Sequence, residues 1–358
     1  MKDIILVVNP GSTSTKVALF DETNLVAVDT IRHSIKELAP FDRIIDQKDF
    51  RTELTLNFMA EHDYAPTDLL AVVGRGGLLK PIPGGTYLVE EEMLTDLREE
   101  KYNTHASNLG AIIAKEIADS AGVQAYIVDP VVVDEMEAIA KISGLKGIHR
   151  RSVSHALNQK AVARRLLNEA NKQYEESNVI VVHLGGGTSI GAHRKGKMVD
   201  VVNGLDGEGP FTPERTGQLP LYDFAKKLVE ENLSLKQVKT LLAGKGGLAS
   251  YLNEIDIRQI VKRIEDGDRE AELYLKAMSY QIGKAVGEMA AVLKGQVDSI
   301  ILTGGAAHST YLVKEIQSYS DWIAPVAVYP GEREMEALYE GVMRVLNGEE
   351  QAKRYNEV

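Results

Sequence analysis

Twice in this chain a strand-like apolar run breaks at a turn rich in glycine and hydroxyls and resumes as a second strand, at residues 4–20 and again at 179–202. The first copy reads IILVVN, PGSTST, KVALFD, and the second VIVVH, LGGGT, SIGAHR. Runs of β-branched residues closed by turn signals are strands. Two such copies in 358 residues predict two related halves rather than one continuous domain. Further strands are expected at AVVGRG, AYIVD, SIILTGG and PVAVYPG, many of them separated by helix-period stretches. The clearest helix spans residues 270–295, where Leu275, Met278, Ile282, Val286, Met289 and Leu293 recur at steps of three or four and Gly295 stands where a cap belongs. Its Gly283 and Gly287 would let another backbone approach closely. A second helix is expected from Asn108 to Ala121, stopped by Gly122. Alternating strands and helices make the fold class α/β.

Charge and composition exclude several partners. The chain carries 41 Lys and Arg against 52 Asp and Glu, a net charge of −11, which argues against nucleic acid or an anionic membrane surface. It contains no cysteine, so disulfides, thiolate nucleophiles and Cys-ligated zinc are out. The apolar run Ile4 to Val8 is too short for a signal peptide or a membrane span. A cytoplasmic location is expected. Residues 168–178, NEANKQYEESN, read as a surface connection, and the last residues, GEEQAKRYNEV, as a charged helix end or frayed tail. The segment 203–220, NGLDGEGPFTPERTGQLP, is long and dense in Gly and Pro, and long loops of this kind are usually functional.

The turns carry the chemistry. In PGSTSTK, backbone N–H groups, the hydroxyls of Ser12, Thr13, Ser14 and Thr15, and the ammonium of Lys16 are expected to face one concavity, an anion nest suited to phosphate. No GxxxxGK[ST] pattern occurs, so this is not a P-loop. In HLGGGTSIGAH, Gly185, Gly186 and Gly187 lack Cβ atoms and let main-chain amides approach a diphosphate. The spacing is not GxGxxG, and the adjoining SIGAHR reads as a strand rather than a helix, so a nucleotide on a hairpin is the better inference. A third turn, at Gly304 and Gly305, comes after the strand SIILT. Three such turns in this order match the superfamily of acetate and sugar kinases, heat-shock chaperone ATPases and actin, where two hairpins hold the phosphates and a late Gly-Gly turn abuts the adenosine.

Within that superfamily the chain resembles the acetokinase family, and in it the butyrate kinases, from Ile4 to about Leu346. The matching segments include NPGSTSTK, GRGGLLKPIPGGTY, VDPVVVDEM, RRSVSHALNQKAVARR, HLGGGTSIGAH, VDVVNGLDGEGPFTPERTGQLP, LTGGAAHS and APVAVYPGEREMEAL. The resemblance implies two actin-like (ribonuclease H-like) domains, each a mixed sheet flanked by helices, with a nucleotide cleft between them. The domains are expected at 1–155 with 333–358 and at 156–332. It implies ATP or ADP and Mg²⁺ as cofactors, a small carboxylic acid and its acyl phosphate as substrates, and a homo-oligomer, dimer or higher. Arg75 and Arg215 match the active-site arginines, His155 the histidine that stabilises the transferring group, and Asp129 an aspartate near metal and nucleotide. Ser12, Ser14, Lys16 and the glycines at 185–187 and 304–305 match the nucleotide grip. Glu334 aligns best with the glutamate that supports magnesium, with Glu332 as the neighbouring alternative.

Two departures bear on chemistry. Where sugar kinases, actins and the chaperones carry an aspartate in each hairpin, this chain has Asn9 and His183, expected to touch phosphates or the water-bound metal. A carboxylate substrate, with a pKa of about 4, is already ionised near neutral pH and needs no general base. Ser154 replaces the aromatic residue that members commonly carry before the histidine, which leaves chain-length preference open. Gly76 and Gly77, after Arg75, would either leave room for an acyl group longer than acetate or simply serve the turn. The expected activity is ATP + carboxylate ⇌ ADP + acyl phosphate with butyrate or a related short or branched acid. The competing readings are acetate or propionate kinase, a filament-forming actin-like ATPase, and a nucleotide-regulated binding protein.

Overall fold

Residues 3–22 and 24–358 are described by a computed structural model. They fall into two compact units, one running up to Val133 and including Arg333–Val358, the other Asp134–Glu332. In the first unit β1 (Ile4–Pro10), β2 (Ser14–Phe20), β3 (Leu25–Arg32), β4 (Leu69–Arg75), β5 (Thr86–Leu88) and β6 (Gln124–Val128) form a sheet of order β3-β2-β1-β4-β6-β5. β1 is antiparallel to β2 and parallel to β4, which is parallel to β6. The continuous apolar runs of β1 and β4 reflect burial on both faces. The helix Asn108–Ala121 lies directly on β4, because neither partner has a side chain at the crossing. A Cβ on Gly74 would stand 2.1 Å from the Gly110 carbonyl oxygen, and one on Gly110 2.3 Å from that of Arg75.

The second unit repeats the plan. Its strands β7 (Asn178–His183), β8 (Ser189–Arg194), β9 (Lys197–Val201), β10 (Ser299–Gly304) and β11 (Val326–Pro330) are ordered β11-β10-β7-β8-β9. In both units three antiparallel strands are extended on one side by two parallel ones. The echo between the two hairpins is therefore an echo of whole sheets. The helix Arg269–Val292 starts at Asp268, whose carboxylate accepts the N–H groups of Glu270 and Ala271. It buries Leu275, Met278, Ile282, Val286 and Met289, and Gly295 beyond it takes φ +73°.

Three local expectations differ from the structure. Gly283 does admit a close neighbour, since a Cβ there would lie 2.4 Å from that of Tyr319, but Gly287 faces open space. Residues 134–155 join the second unit: the Glu137 N–H bonds to the Val199 carbonyl, and Arg150 reaches both Asp200 and Glu208. The connection at 168–178 is largely exposed, as expected, and is anchored by the buried Tyr174.

The third is the C-terminus, which is docked rather than frayed. Lys353 exchanges backbone hydrogen bonds with Thr86 and Leu88, and the buried Tyr355 hydroxyl donates to Asp96 Oδ2 at 2.8 Å. Removing that hydroxyl leaves a buried carboxylate oxygen short of a donor. Tyr355→Phe should therefore lower unfolding free energy by roughly 1–2 kcal/mol in urea titrations, with nucleotide KM unchanged.

Candidate active site

In each unit the expected site residues collect at the C-terminal ends of parallel strands, the edge where open α/β sheets bind ligands. In the first unit these are Asn9 on β1, Arg75 at the end of β4, and Asp129 just past β6. Glu334 opens the helix Glu334–Leu346 and ties two of them together. Its Oε2 accepts from Asn9 Nδ2 at 2.8 Å, and its Oε1 accepts from the Arg75 guanidinium. Burial by itself would push the Glu334 carboxyl up, but Arg75, Asn9 and Lys16 outweigh it and hold the group below its ordinary value. Glu332 belongs to the other unit, with its Oε1 3.7 Å from His183 Nε2.

The first hairpin presents fewer hydroxyls than expected. Lys16 pairs directly across from Asn9, so the two share a face. Thr15, one residue earlier, points to the opposite side, because side chains alternate along a strand. It is fully buried, and its hydroxyl meets Arg51 Nη1 at 2.9 Å and His33 Nε2 at 2.8 Å. Ser12 and Thr13 are exposed and Ser14 is half-buried.

Asp129 is buried in a left-handed backbone conformation, φ +38°, which is strained for a side chain of this kind. It exchanges two bonds with one glycine: its N–H donates to the Gly85 carbonyl at 3.0 Å, and its Oδ1 accepts the Gly85 N–H at 2.7 Å. The room expected beside Arg75 is filled. A Cβ on Gly76 would lie 2.5 Å from that of Pro130, and one on Gly77 2.5 Å from Asn108 Oδ1. These glycines serve close packing. Ser154 is likewise turned inward, its Oγ 3.8 Å from Met198 Sδ.

In the second unit His155, the residue before the helix Ala156–Glu169, stacks its ring on His183 at 3.8 Å and 7°. Asn158 Nδ2 donates to the Glu332 carbonyl at 2.9 Å, which orients the amide so that its Oδ1 accepts from His183 Nδ1 at 2.8 Å. Beyond His183 comes the glycine turn, and Arg215 lies against it. A Cβ on Gly187 would stand 2.0 Å from Arg215 Cζ, and one on Gly186 3.1 Å from Glu214 Oε1. The loop is pinned there, since the Thr212 hydroxyl donates to the Gly186 carbonyl at 2.6 Å and accepts the Arg215 N–H at 3.2 Å. Burial lowers the Arg215 pKa, and Glu214 opposes the shift. Gly304, at φ +87°, packs on Leu184, whereas a Cβ on Gly305 would meet nothing.

For a metal, no group of three or more His, Cys, Asp or Glu side chains among the described residues is arranged to hold one. Both Glu334 oxygens already accept hydrogen bonds. This donor set fits Mg²⁺ carried mainly by nucleotide phosphates, with a carboxylate acting directly or through water, and not an all-protein cage.

The sequence profile of the acetokinase family matches residues 130–320. A protein of Enterococcus faecalis named probable butyrate kinase is 61% identical over 355 residues, covering 99% of this chain and 98% of that one. The chain belongs to the acetokinase family. Another relative, from Clostridium botulinum and also named probable butyrate kinase, is 49% identical over 98% of this chain and 99% of its own length. Among solved structures, the fold is that of acetate kinase from Porphyromonas gingivalis, with TM-score 0.78 at 19% identity over 96% of this chain and 100% of that one. Propionate kinase from Francisella tularensis gives a TM-score of 0.70, also at 19% identity, over 95% and 98% of the two chains. These likenesses give the chain the actin-like fold of two mixed sheets flanked by helices.

One buried residue escaped sequence reasoning. Arg51 is fully buried beneath the first hairpin and donates to the carbonyls of Gly11 and Ser14, both at 2.9 Å, to Thr15 Oγ1 and to Gln47 Oε1. Each of these acceptors is neutral, and burial lowers its pKa to about 10. Inside a helix with a mixed polar pattern an arginine reads as surface charge, so no sequence signal marked it. Gly187 offers the sharper test. Gly187→Ala would drive its methyl into the Arg215 guanidinium, and turnover should fall by about 10²-fold while the melting temperature stays near that of the parent.

Proposed function

We propose that this chain transfers the γ-phosphoryl group of ATP to the carboxylate of butyrate, or of a closely related short or branched acid, giving ADP and the acyl phosphate reversibly. A carboxylate oxygen bonds to the γ-phosphorus as the bond from that phosphorus to the bridging oxygen breaks. ADP keeps the bridging oxygen with its electron pair, and no proton is moved. The observation that carries this reading is the pair of strand-end positions where an amide and an imidazole stand instead of carboxylates. Asn9 and His183 occupy them with arginines nearby in each unit, an arrangement that binds anions, and the neighbouring Glu334 is already engaged by Asn9 and Arg75.

Arg75 and Arg215 are assigned to the oxygens of the moving phosphoryl group, where a planar guanidinium can donate two bonds at once. His155 donates to the same group. Asn9, Ser12, Ser14 and Lys16 grip phosphate on one hairpin, and His183 with Gly185, Gly186 and Gly187 on the other. Gly304 and Gly305 adjoin the adenosine. Glu334 orients Arg75 and Asn9 and supports the metal, and Asp129 fixes the Gly85 turn beside them. Mg²⁺, when bound, neutralises charge on the β- and γ-phosphates. Cytoplasmic location and homo-oligomer formation belong to the same reading. No helix among the described residues is long and apolar enough to cross a membrane.

Butyrate is favoured by the near-full-length identity to proteins carrying that name. With Gly76 and Gly77 packed shut and Ser154 turned toward Met198, none of the three supplies a wider acyl pocket. Acetate and propionate therefore belong in the test. Incubation with ATP, Mg²⁺, hydroxylamine and one acid at a time should give hydroxamate at least about tenfold faster with butyrate than with acetate, the discrimination that added methylenes support. Faster reaction with acetate would move the assignment to acetate kinase, and no product with any acid would refute it.

A further inference from the structure

Behind His155 runs a line of buried polar groups that the proposed reaction does not use. Tyr174 Oη lies 2.7 Å from His193 Nδ1, His193 Nε2 lies 2.9 Å from Gln159 Oε1, and Gln159 Nε2 lies 2.8 Å from Ser189 Oγ. Ser189 Oγ then lies 2.9 Å from His155 Nδ1. Tyr174, His193, Gln159 and Ser189 are each at most 2% exposed. Such a chain is costly to bury unless every donor meets an acceptor.

We propose that Tyr174, His193, Gln159 and Ser189 form a one-way hydrogen-bond chain that fixes His155 as the tautomer with its ring proton on Nε2. The direction is set by the donor inventory. Gln159 Nε2 also reaches the Ser189 carbonyl at 3.3 Å, which can only accept, so that end of the amide is the NH₂ and Oε1 is the acceptor. His193 must then give its Nε2 proton to Gln159. Burial pushes His193 down to about 3, with Lys160 and Arg164 adding to the shift and Glu135 opposing it, so the ring is neutral and holds one proton. Its Nδ1 therefore accepts the Tyr174 hydroxyl. Ser189 Oγ receives the Gln159 N–H and faces the His155 backbone N–H at 3.4 Å, which leaves its own proton for His155 Nδ1. The reverse orientation would aim three donors at one hydroxyl oxygen with two lone pairs.

The fold makes room for this chain. Gly191 lies beside it, and a Cβ there would stand 2.4 Å from Gln159 Oε1 and 3.0 Å from His193 Nε2. Tyr174 is held from its ring face by Arg164, 4.7 Å from the centroid, and Lys160, itself paired with Glu135 at 2.7 Å, stands 5.7 Å away. The consequence rests on the proposed role of His155. An Nε2–H offers a hydrogen bond to an anionic phosphoryl oxygen, whereas the other tautomer would turn a lone pair toward it. His193, Gln159 and Tyr174 are thus positioning residues.

The test reads the tautomer directly, by ¹⁵N NMR of the full-length protein labelled at histidine, with His155 assigned from its loss in His155→Asn. The parent should show a neutral His155 ring protonated at Nε2. Gln159→Glu replaces the donor to Ser189 with an acceptor, which frees the serine to accept from His155. That variant should switch His155 to the Nδ1–H form and lower kcat by about 10²-fold with KM for ATP within a few-fold. A parent ring protonated at Nδ1, or at both nitrogens above neutral pH, overturns the proposal even if the variant fails to fold. So does a folded Gln159→Glu protein with the parent tautomer. Because the spectrum needs no turnover, an Nε2–H ring together with full activity in His155→Asn would refute only the assigned role of His155.

Discussion

A single carboxylate organises the first unit's ligand edge. Glu334 gives one oxygen to Arg75 and the other to Asn9, joining the ends of β4 and β1 to a helix that returns from more than 250 residues later in the chain. An arginine and a glutamate whose side chains are only 14% and 20% exposed favour one arrangement strongly, since separating them would leave each charge without its partner. The contact does two things. It holds the Arg75 guanidinium at the sheet edge, and it engages both oxygens of a carboxylate that would otherwise repel an incoming one. Gly74 and Gly110 complete the support by letting the helix Asn108–Ala121 sit against the backbone of Arg75 itself.

The second unit reaches a comparable result by other means. No glutamate orients Arg215; the glycine turn does, because the absence of a side chain at Gly187 makes the space the guanidinium fills. The two stacked histidines are held by neutral partners, His183 by Asn158 and His155 by Ser189. Both edges therefore present hydrogen-bond donors, which suits a phosphoryl acceptor that arrives already ionised.

Much of this was legible in the sequence. The strand and turn pattern marked both sheets, and the resemblance picked out Arg75, His155, Arg215 and Glu334 as residues of one kind of chemistry. What the sequence hid was determined by packing. Thr15 looks like a phosphate donor until strand alternation turns it to Arg51, and Gly76 and Gly77 look like space until Pro130 and Asn108 fill it. Arg51, Gln159 and His193 gave no signal, because a buried polar side chain inside a helix or strand looks the same in sequence as an exposed one. Residues 134–155 were misplaced for a related reason: the ion pairs that hold Arg150 to Asp200 and Glu208 join positions about 50 residues apart.

The central claim is that Arg75 and Arg215 act on the moving phosphoryl group rather than on the resting nucleotide. Calorimetry with ADP, Mg²⁺, butyrate and aluminium fluoride, a mimic of phosphoryl transfer, separates the two roles. Arg75→Ala and Arg215→Ala should each bind ADP within a few-fold of the parent and bind the mimic at least about 10²-fold more weakly, the margin expected for contacts made in the transition state. Retention of parent affinity for the mimic in either variant would contradict the account.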